Sequence, residues 1–434
     1  MYIIFLTYSI LTLFSVYIVK KWNDYVPFVI CLGGISFTAR YVALSLGLAD
    51  FVNYDYGITI IFSQDLALKA INYISIGLFI LWASYVYFRQ YRRIKWINKI
   101  YDDQLLKIFL KKNKSIIIFG LIFAQLANTF FGVRAYYVGG IQSSYVLYLP
   151  FMASSAIILS LLLLKNRVIQ DPTIKLLILG LIVINIPVTI MSGQRFVAIA
   201  WIVVTLLLFS THLKFKYKLL GLILLPFIGL ITLTLFGLNR YSWFSVNNFT
   251  TQLKLSFDAA LVFNDFNMVD GMIMVLNVFP KYLNYFHGMG HIEIILRAIP
   301  RQLWPGKPVG GWAQKLAVAG NQDLFGTGFG SSLIGDFYTE FSDLGVIIFP
   351  ILYGFVIAKL MSYTERYSSD FRIVLQSVIA ASLIPLLRGG DLPGIYSLII
   401  LIYWPIILFD FQYKKFIKRH LKSMNISMNL FTFH

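Results

Sequence analysis

Long apolar runs alternate with short basic stretches along almost the whole chain. A helix needs about 20 mainly apolar residues to cross a bilayer, and we predict about eleven such spans, with a range of about ten to twelve. The predicted spans are 2–19, 25–49, 66–88, 115–133, 145–164, 174–192, 196–211, 219–238, 344–361, 373–387 and 394–411. The pattern therefore predicts an all-α polytopic membrane protein in which residues 1–434 form a single membrane domain.

The composition supports this interpretation. Hydrophobic residues make up 58% of the 434 and charged residues 13%, whereas soluble globular proteins carry about 25% charged residues. The first apolar run has no basic region before it and no small-residue cleavage site, so we interpret it as a span and not as a signal peptide. The net charge of +18 lies mostly in short loops beside the spans. The positive-inside rule produces that distribution, so no nucleic-acid partner is expected.

The cations also predict the orientation of the chain. If the strongly basic stretch 89–114 is cytoplasmic, alternation of the spans places 25 of the 37 Lys and Arg residues in cytoplasmic loops. The C-terminus is then cytoplasmic as well. The one long connection, residues 239–343, becomes a large extracytoplasmic loop. Loops of this length usually carry function, so we expect the active site there.

Within that loop, residues 297–308 gather three cations, three prolines and a tryptophan. Cations are scarce on the predicted outer face, and the prolines exclude a regular helix. Arginine binds phosphate and carboxylate groups bidentately and remains charged. We therefore interpret Arg297, Arg301 and Lys307 as parts of an anion site, with Trp304 available to stack on a sugar ring.

Three single arginines outside the loop stand beside glycines at the predicted outer ends of spans: Arg134, Arg195 and Arg388. Glycine allows the backbone to approach a ligand closely and to present N–H donors. We expect these arginines to join the same anion site. The alternative for each is contact with lipid headgroups or local pairing, for instance of Arg388 with Asp391.

His291 and Glu293 are candidates for a general base acting on a sugar hydroxyl. The alternative for Glu293 is an ion pair with Arg297, four residues further along a helix. His287 and His291 have the spacing of a helical metal pair, but glycines flank them and no third ligand stands at metal-site spacing. We therefore expect no metal.

A short amphipathic helix is predicted for residues 331–341. Its apolar positions share one face: Leu333, Ile334, Phe337 and Phe341. Its polar positions lie off that face, near the membrane surface: Asp336, Tyr338 and Glu340. Asp336 or Glu340 is thus either a further candidate base or part of a solvated polar surface.

These motifs resemble those of the bacterial oligosaccharide repeat-unit polymerases, the Wzy-type polymerases of O-antigen and capsule synthesis. The resemblance rests on the pattern Arg297-x-x-Pro300-x-x-x-Trp304-Pro305-x-Lys307-Pro308, on 331–338 and 341–345, and on the Ser-Gly-x-Arg turn at 192–195. The chain departs from the family pattern at Asp336, where Glu is usual, and at Asp343, where Gly is usual.

The resemblance implies a GT-C-like glycosyltransferase of the bacterial inner membrane that works without cofactor or metal. Its substrates would be undecaprenyl-diphosphate-linked oligosaccharides, and a chain-length regulator and a flippase are possible partners. The candidate catalytic residues are Arg195, Arg297, Arg301, His291, Glu293 and Asp336. The candidate substrate-binding residues are Arg134, Lys307, Arg388, Trp304 and Tyr338. The alternatives are an O-antigen ligase, which shares the architecture, and a flippase or transporter of lipid-linked oligosaccharide, in which inverted repeats are expected.

Overall fold

The computed structural model describes residues 2–52, 61–89, 103–132, 145–191, 195–211, 213–221, 254, 267–297, 299, 303–308, 310–320, 330–367 and 369–423. Regular structure among them is helical. The main helices are α1 (Tyr2–Trp22), α2 (Val26–Ser45), α3 (Gln64–Arg89), α4 (Asp103–Ala127), α5 (Ala153–Lys165), α6 (Pro172–Met191), α7 (Arg195–Ser210), α8 (Met268–Val278), α9 (Met289–Leu296), α10 (Trp312–Ala319), α11 (Ser332–Thr364), α12 (Ser369–Arg388) and α13 (Leu392–Ser423). A π-turn, Asn128–Gly132, extends α4, and a 3₁₀ segment, Tyr145–Met152, precedes α5.

Six of the described helices, α1, α2, α3, α11, α12 and α13, are long and apolar enough to cross a membrane. Shorter apolar helices include α5, α6, α7 and α8. The chain is thus an all-helical polytopic membrane protein, as predicted. Each predicted span except 219–238 overlaps a described helix, and that one lies almost wholly outside the described residues.

The chain divides into two compact units. The first comprises residues 1–92, 212–362 and 379–399, and the second comprises 93–211, 363–378 and 400–434. Most of the candidate site residues that the structure describes belong to the first unit.

Small residues bring the helices of the first unit close together. A Cβ on Gly34 of α2 would lie 2.2 Å from the ring of Tyr8, and one on Gly77 of α3 would lie 2.6 Å from Ile334. Such contacts suit a bilayer protein, because close van der Waals packing replaces the hydrophobic drive between helices. The start of α11 is thereby packed against a membrane-spanning helix.

A fully buried ion pair joins α2 to α8. The guanidinium of Arg40 donates to both carboxylate oxygens of Asp270 at 3.0 and 2.9 Å and to the carbonyl oxygen of Asp50 at 2.8 Å. The N–H of Val52 donates to the same carboxylate at 2.9 Å. A buried charge is tolerated only when it is paired and hydrogen-bonded. Four groups here satisfy one another and fix α8 against α2.

Helix α11 is two helices that meet at a kink. Phe341 (φ −140°, ψ 27°) and Ser342 (φ 56°, ψ −137°) leave the helical conformation between an N-terminal segment and the long apolar part. The predicted helix at 331–341 is therefore confirmed. Its polar side is not solvated, however, because Asp336 and Glu340 are both buried. The expectation of a polar surface there was wrong, since other segments of the first unit cover that side.

Candidate functional site

The described part of the proline-rich motif includes a turn at residues 304–307, after helix α9. That helix begins after Gly288 (φ 90°) and ends at Arg297, its C-terminal cap. A tight turn follows in which the N–H of Lys307 donates to the carbonyl of Trp304. The ammonium of Lys307 donates to the carbonyl oxygens of Arg297 and Ile299, both at 2.7 Å. Lysine commonly satisfies helix C-terminal carbonyls in this way, so Lys307 ties the turn to the end of α9.

The side chain of Arg297 is partly exposed and lies near a carboxylate. Its side chain is 34% exposed, and the guanidinium lies 3.9 Å from the carboxylate of Asp391. Asp391 also accepts a hydrogen bond from the N–H of Gly394 at 3.1 Å. At such distance and exposure the ion pair is weak. The pair therefore contributes little to stability, and the guanidinium stays partly exposed.

Asp391 follows a turn that brings Arg388 into the same region. Gly389 (φ 63°) and Gly390 (φ 100°) both have left-handed conformations. Gly389 pairs with Ser332, and a Cβ on it would lie 2.2 Å from the Ser332 backbone. Glycine is required there on both counts. The side chain of Arg388 packs on Gly330, where a Cβ would lie 3.0 Å from its Cγ.

A series of buried hydrogen bonds connects this turn to the start of α11 and to α10. The indole N–H of Trp312 donates to Ser331 Oγ at 3.0 Å, and that hydroxyl donates to Asp336 Oδ1 at 3.1 Å. The N–H of Gly390 donates to both oxygens of Asp336, at 2.9 and 2.8 Å. Asp336 is only 5% exposed. Its oxygens hold the start of α11 and the turn after α12 together.

The second candidate carboxylate is also engaged. Glu293 is buried, and its Oε1 lies 2.8 Å from the ammonium of Lys315. The same ammonium stands 3.9 Å from the centre of the Phe286 ring. The alternative suggested by spacing, an ion pair with Arg297, is therefore not formed. Glu293 and Lys315 instead join α9 to α10.

His291 differs from both carboxylates in being accessible. Its ring is 24% exposed and stacks on Phe349 at 4.4 Å. Nε2 lies 3.1 Å from the Tyr353 hydroxyl, and Nδ1 lies 3.5 Å from Oε1 of the buried Glu340. The other oxygen of Glu340 accepts the N–H of Gly288 at 2.6 Å. The Tyr353 hydroxyl and the Phe349 ring thus fix the imidazole beside the buried carboxylate of Glu340. A partly exposed imidazole is a candidate for a general base or acid.

Comparison with known families decides the identity. The sequence profile described as O-antigen polysaccharide polymerase Wzy matches residues 1–420. The chain belongs to this family. No curated protein and no solved structure matches the chain. The resemblance inferred from the loop motifs is thus confirmed, and the matched region of the polymerase family includes every candidate site residue.

The two aromatic candidates have different surroundings. Trp304 is 36% exposed at the turn. Tyr338 is buried, with its ring 5.3 Å from that of Tyr73 and 5.9 Å from that of Tyr285. A phenol surrounded in this way packs the interior of the unit. Of the two, Trp304 is the exposed ring.

Three of the predicted arginines cannot be assigned a contact. Arg134 and Arg301 lie outside the described residues, and Arg195 begins α7 with a side chain that is not described. Conversely, Ser331 and Lys315 were not predicted as site residues. Lys315 contacts Glu293, which is 22 residues away in sequence, so no local pattern reveals that pair.

Proposed function

We propose that this chain polymerises lipid-diphosphate-linked oligosaccharide repeat units in the bacterial inner membrane, with residues 239–343 forming an extracytoplasmic loop that carries the active site. Membership of the O-antigen polymerase family supports the reaction class. The observation that carries the site is the approach of Arg297 to Asp391. It brings the end of α9 to the turn that follows Arg388, so two arginine-bearing segments share one region.

In this reaction an acceptor hydroxyl of the incoming unit attacks the anomeric carbon of the growing chain. The bond from that carbon to the diphosphate oxygen breaks, and the lipid diphosphate departs with the electron pair. Negative charge therefore grows on the diphosphate in the transition state. Fixed guanidiniums of Arg297 and Arg388 would stabilise that charge, and such preorganised electrostatics is usually the largest catalytic contribution. Arg195, Arg301 and Arg134 remain proposed companions.

The proton of the acceptor hydroxyl needs a base. Among the four candidates, we assign this role to His291, because its side chain is 24% exposed whereas Asp336, Glu293 and Glu340 are buried. Glu340 lies 3.5 Å from the far side of its ring and would stabilise the imidazolium that forms. We assign Asp336 and Glu293 as positioning residues, and Trp304 as a sugar-stacking residue.

The experiment is reconstitution of the purified full chain with undecaprenyl-diphosphate-linked units alone. A ladder of products on a gel is expected from the wild type. Arg297→Ala should leave a folded protein that accumulates single units, with a loss of about 10²-fold or more, as for removal of one preorganised charge-stabilising donor. Lys281→Ala, a cation of the same predicted loop that lies against Tyr282, is the matched control.

Two outcomes would redirect the assignment. Vesicles in which lipid-linked units cross the membrane without elongation would indicate a transporter. Products that form only after a lipid A core acceptor is added would indicate a ligase. A ladder made equally well by wild type and Arg297→Ala would keep the polymerase activity and refute the proposed site.

A further inference from the structure

The second unit contains a cavity of about 410 Å³ that the proposed reaction does not use. Two stripes of side chains at helical spacing line it, one on α4 and one on α13. They are Phe109, Lys112, Asn113, Gln412, Lys415, Phe416, Arg419 and His420. The size falls within the range of small-ligand sites, about 300–1,000 Å³.

The rim of this cleft is basic. Lys112, Lys415 and Arg419 are exposed, and the lining includes no carboxylate. Within the described part of the chain, none of the three forms an ion pair. Lys414, the neighbouring cation on α13, is instead paired with Asp410 and lies over the ring of Tyr363. The positive-inside rule explains why cations gather beside a span. It does not explain why three unpaired ones converge on one cavity.

The floor of the cleft is aromatic. The rings of Phe109 and Phe416 lie 5.3 Å apart, and Phe109 is almost fully buried. The imidazole of His420 stacks on Phe416 at 5.9 Å with an interplanar angle of 14°. A basic rim above an apolar floor suits a ligand that has both an anionic group and a hydrocarbon part. Basic pockets between membrane helices have this chemistry when they bind anionic lipid headgroups.

We propose that this cleft binds the phosphate of an anionic phospholipid, with Lys112, Lys415 and Arg419 as its ligands and Phe109 and Phe416 against its glycerol and first methylenes. The lipid belongs to the leaflet that faces the basic loops. The site is independent of the proposed polymerisation chemistry. A soluble phosphate offers the same anionic group, so the test must separate the two sources.

The test is native mass spectrometry of the detergent-solubilised full chain. Phosphatidylglycerol and phosphatidylethanolamine with identical acyl chains are titrated separately, and inorganic phosphate and glycerol 3-phosphate are used as competitors. The wild-type protein is expected to retain one phosphatidylglycerol molecule at activation energies that remove phosphatidylethanolamine. Lys112→Gln/Arg419→Gln should weaken phosphatidylglycerol binding roughly 25-fold, since each cation near an anionic lipid is worth about a factor of five.

The control Lys111→Gln/Lys114→Gln removes the same charge from exposed positions of α4 that do not line the cleft. It should leave the affinity unchanged. Soluble phosphate that displaces phosphatidylglycerol from the wild type but not from the Lys112/Arg419 variant would support an anion site in the cleft. That result would overturn the lipid as its occupant. Equal retention of both lipids, or equal losses in both double variants, would overturn the proposal, because either result indicates a nonspecific lipid belt.

Discussion

Replacing Asp336 separates a positioning role from a catalytic one. Its carboxylate accepts from Gly390 N–H through both oxygens and from Ser331 through Oδ1. Alanine leaves two buried donors without an acceptor, each at a cost of about 1–3 kcal/mol, so about 2–6 kcal/mol in total. Asparagine keeps one acceptor oxygen but turns an amide N–H₂ toward a donor. We expect Asp336→Asn to lower the free energy of unfolding by about 1–3 kcal/mol.

The assay is unfolding in SDS, with midpoint and slope compared for Asp336→Ala, Asp336→Asn and wild type. Asp343→Asn is the matched control, because Asp343 is an exposed carboxylate of the same helix whose one described bond comes from the Tyr73 hydroxyl. It should change stability by less than about 0.5 kcal/mol, as surface substitutions usually do.

Polymerisation by the same variants completes the test. If Asp336 positions the turn of Arg388, activity should fall in the order of the stability losses and Asp336→Asn should keep part of it. A general base would lose activity equally in both variants with little change in stability. Unfolding midpoints that match the control would refute the structural role assigned to the buried chain.

Three further predictions concern other parts of the first unit. Arg40→Ala should destabilise the protein by about 3–5 kcal/mol, because it strands a buried carboxylate, and SDS unfolding measures this. Gly389→Ala should lower the free energy of unfolding by at least about 1–2 kcal/mol because of the positive φ alone. Gly180→Ala should not destabilise the protein, because a Cβ added there meets open space. His291→Ala should slow ladder formation by about 10²–10⁴-fold, whereas His287→Ala, beside Phe341, should keep near wild-type rates.

The membrane helices could be predicted from the sequence because their apolar runs carry the signal locally. The short helix before the kink was also predictable, since Leu333, Ile334 and Phe337 recur at helical spacing and are indeed buried. The burial of its polar side was not predictable. Asp336 is covered by Gly390, which is 54 residues away in sequence, and no local pattern reveals such a partner.

The ion pairs show the same limit. Spacing along α9 suggested that Glu293 would pair with Arg297, but each has a partner from another segment. Arg40 interrupted an apolar span, and its partner Asp270 lies 230 residues further on. Charge in a predicted span indicates that a partner exists, because an unpaired charge there is costly. It does not indicate which residue that partner is.

The burial of the carboxylates changes which chemistry the site can support. A base must reach the proton it removes, yet Asp336 and Glu293 are hydrogen-bonded or ion-paired beneath the surface. The imidazole of His291 is 24% exposed and the guanidinium of Arg297 is 34% exposed, and both residues belong to α9 and its C-terminal cap. We propose that the first serves the acceptor hydroxyl and the second the departing diphosphate. Catalysis would then depend chiefly on fixed positive charge at the leaving group, with the buried carboxylates holding the charged segments in place.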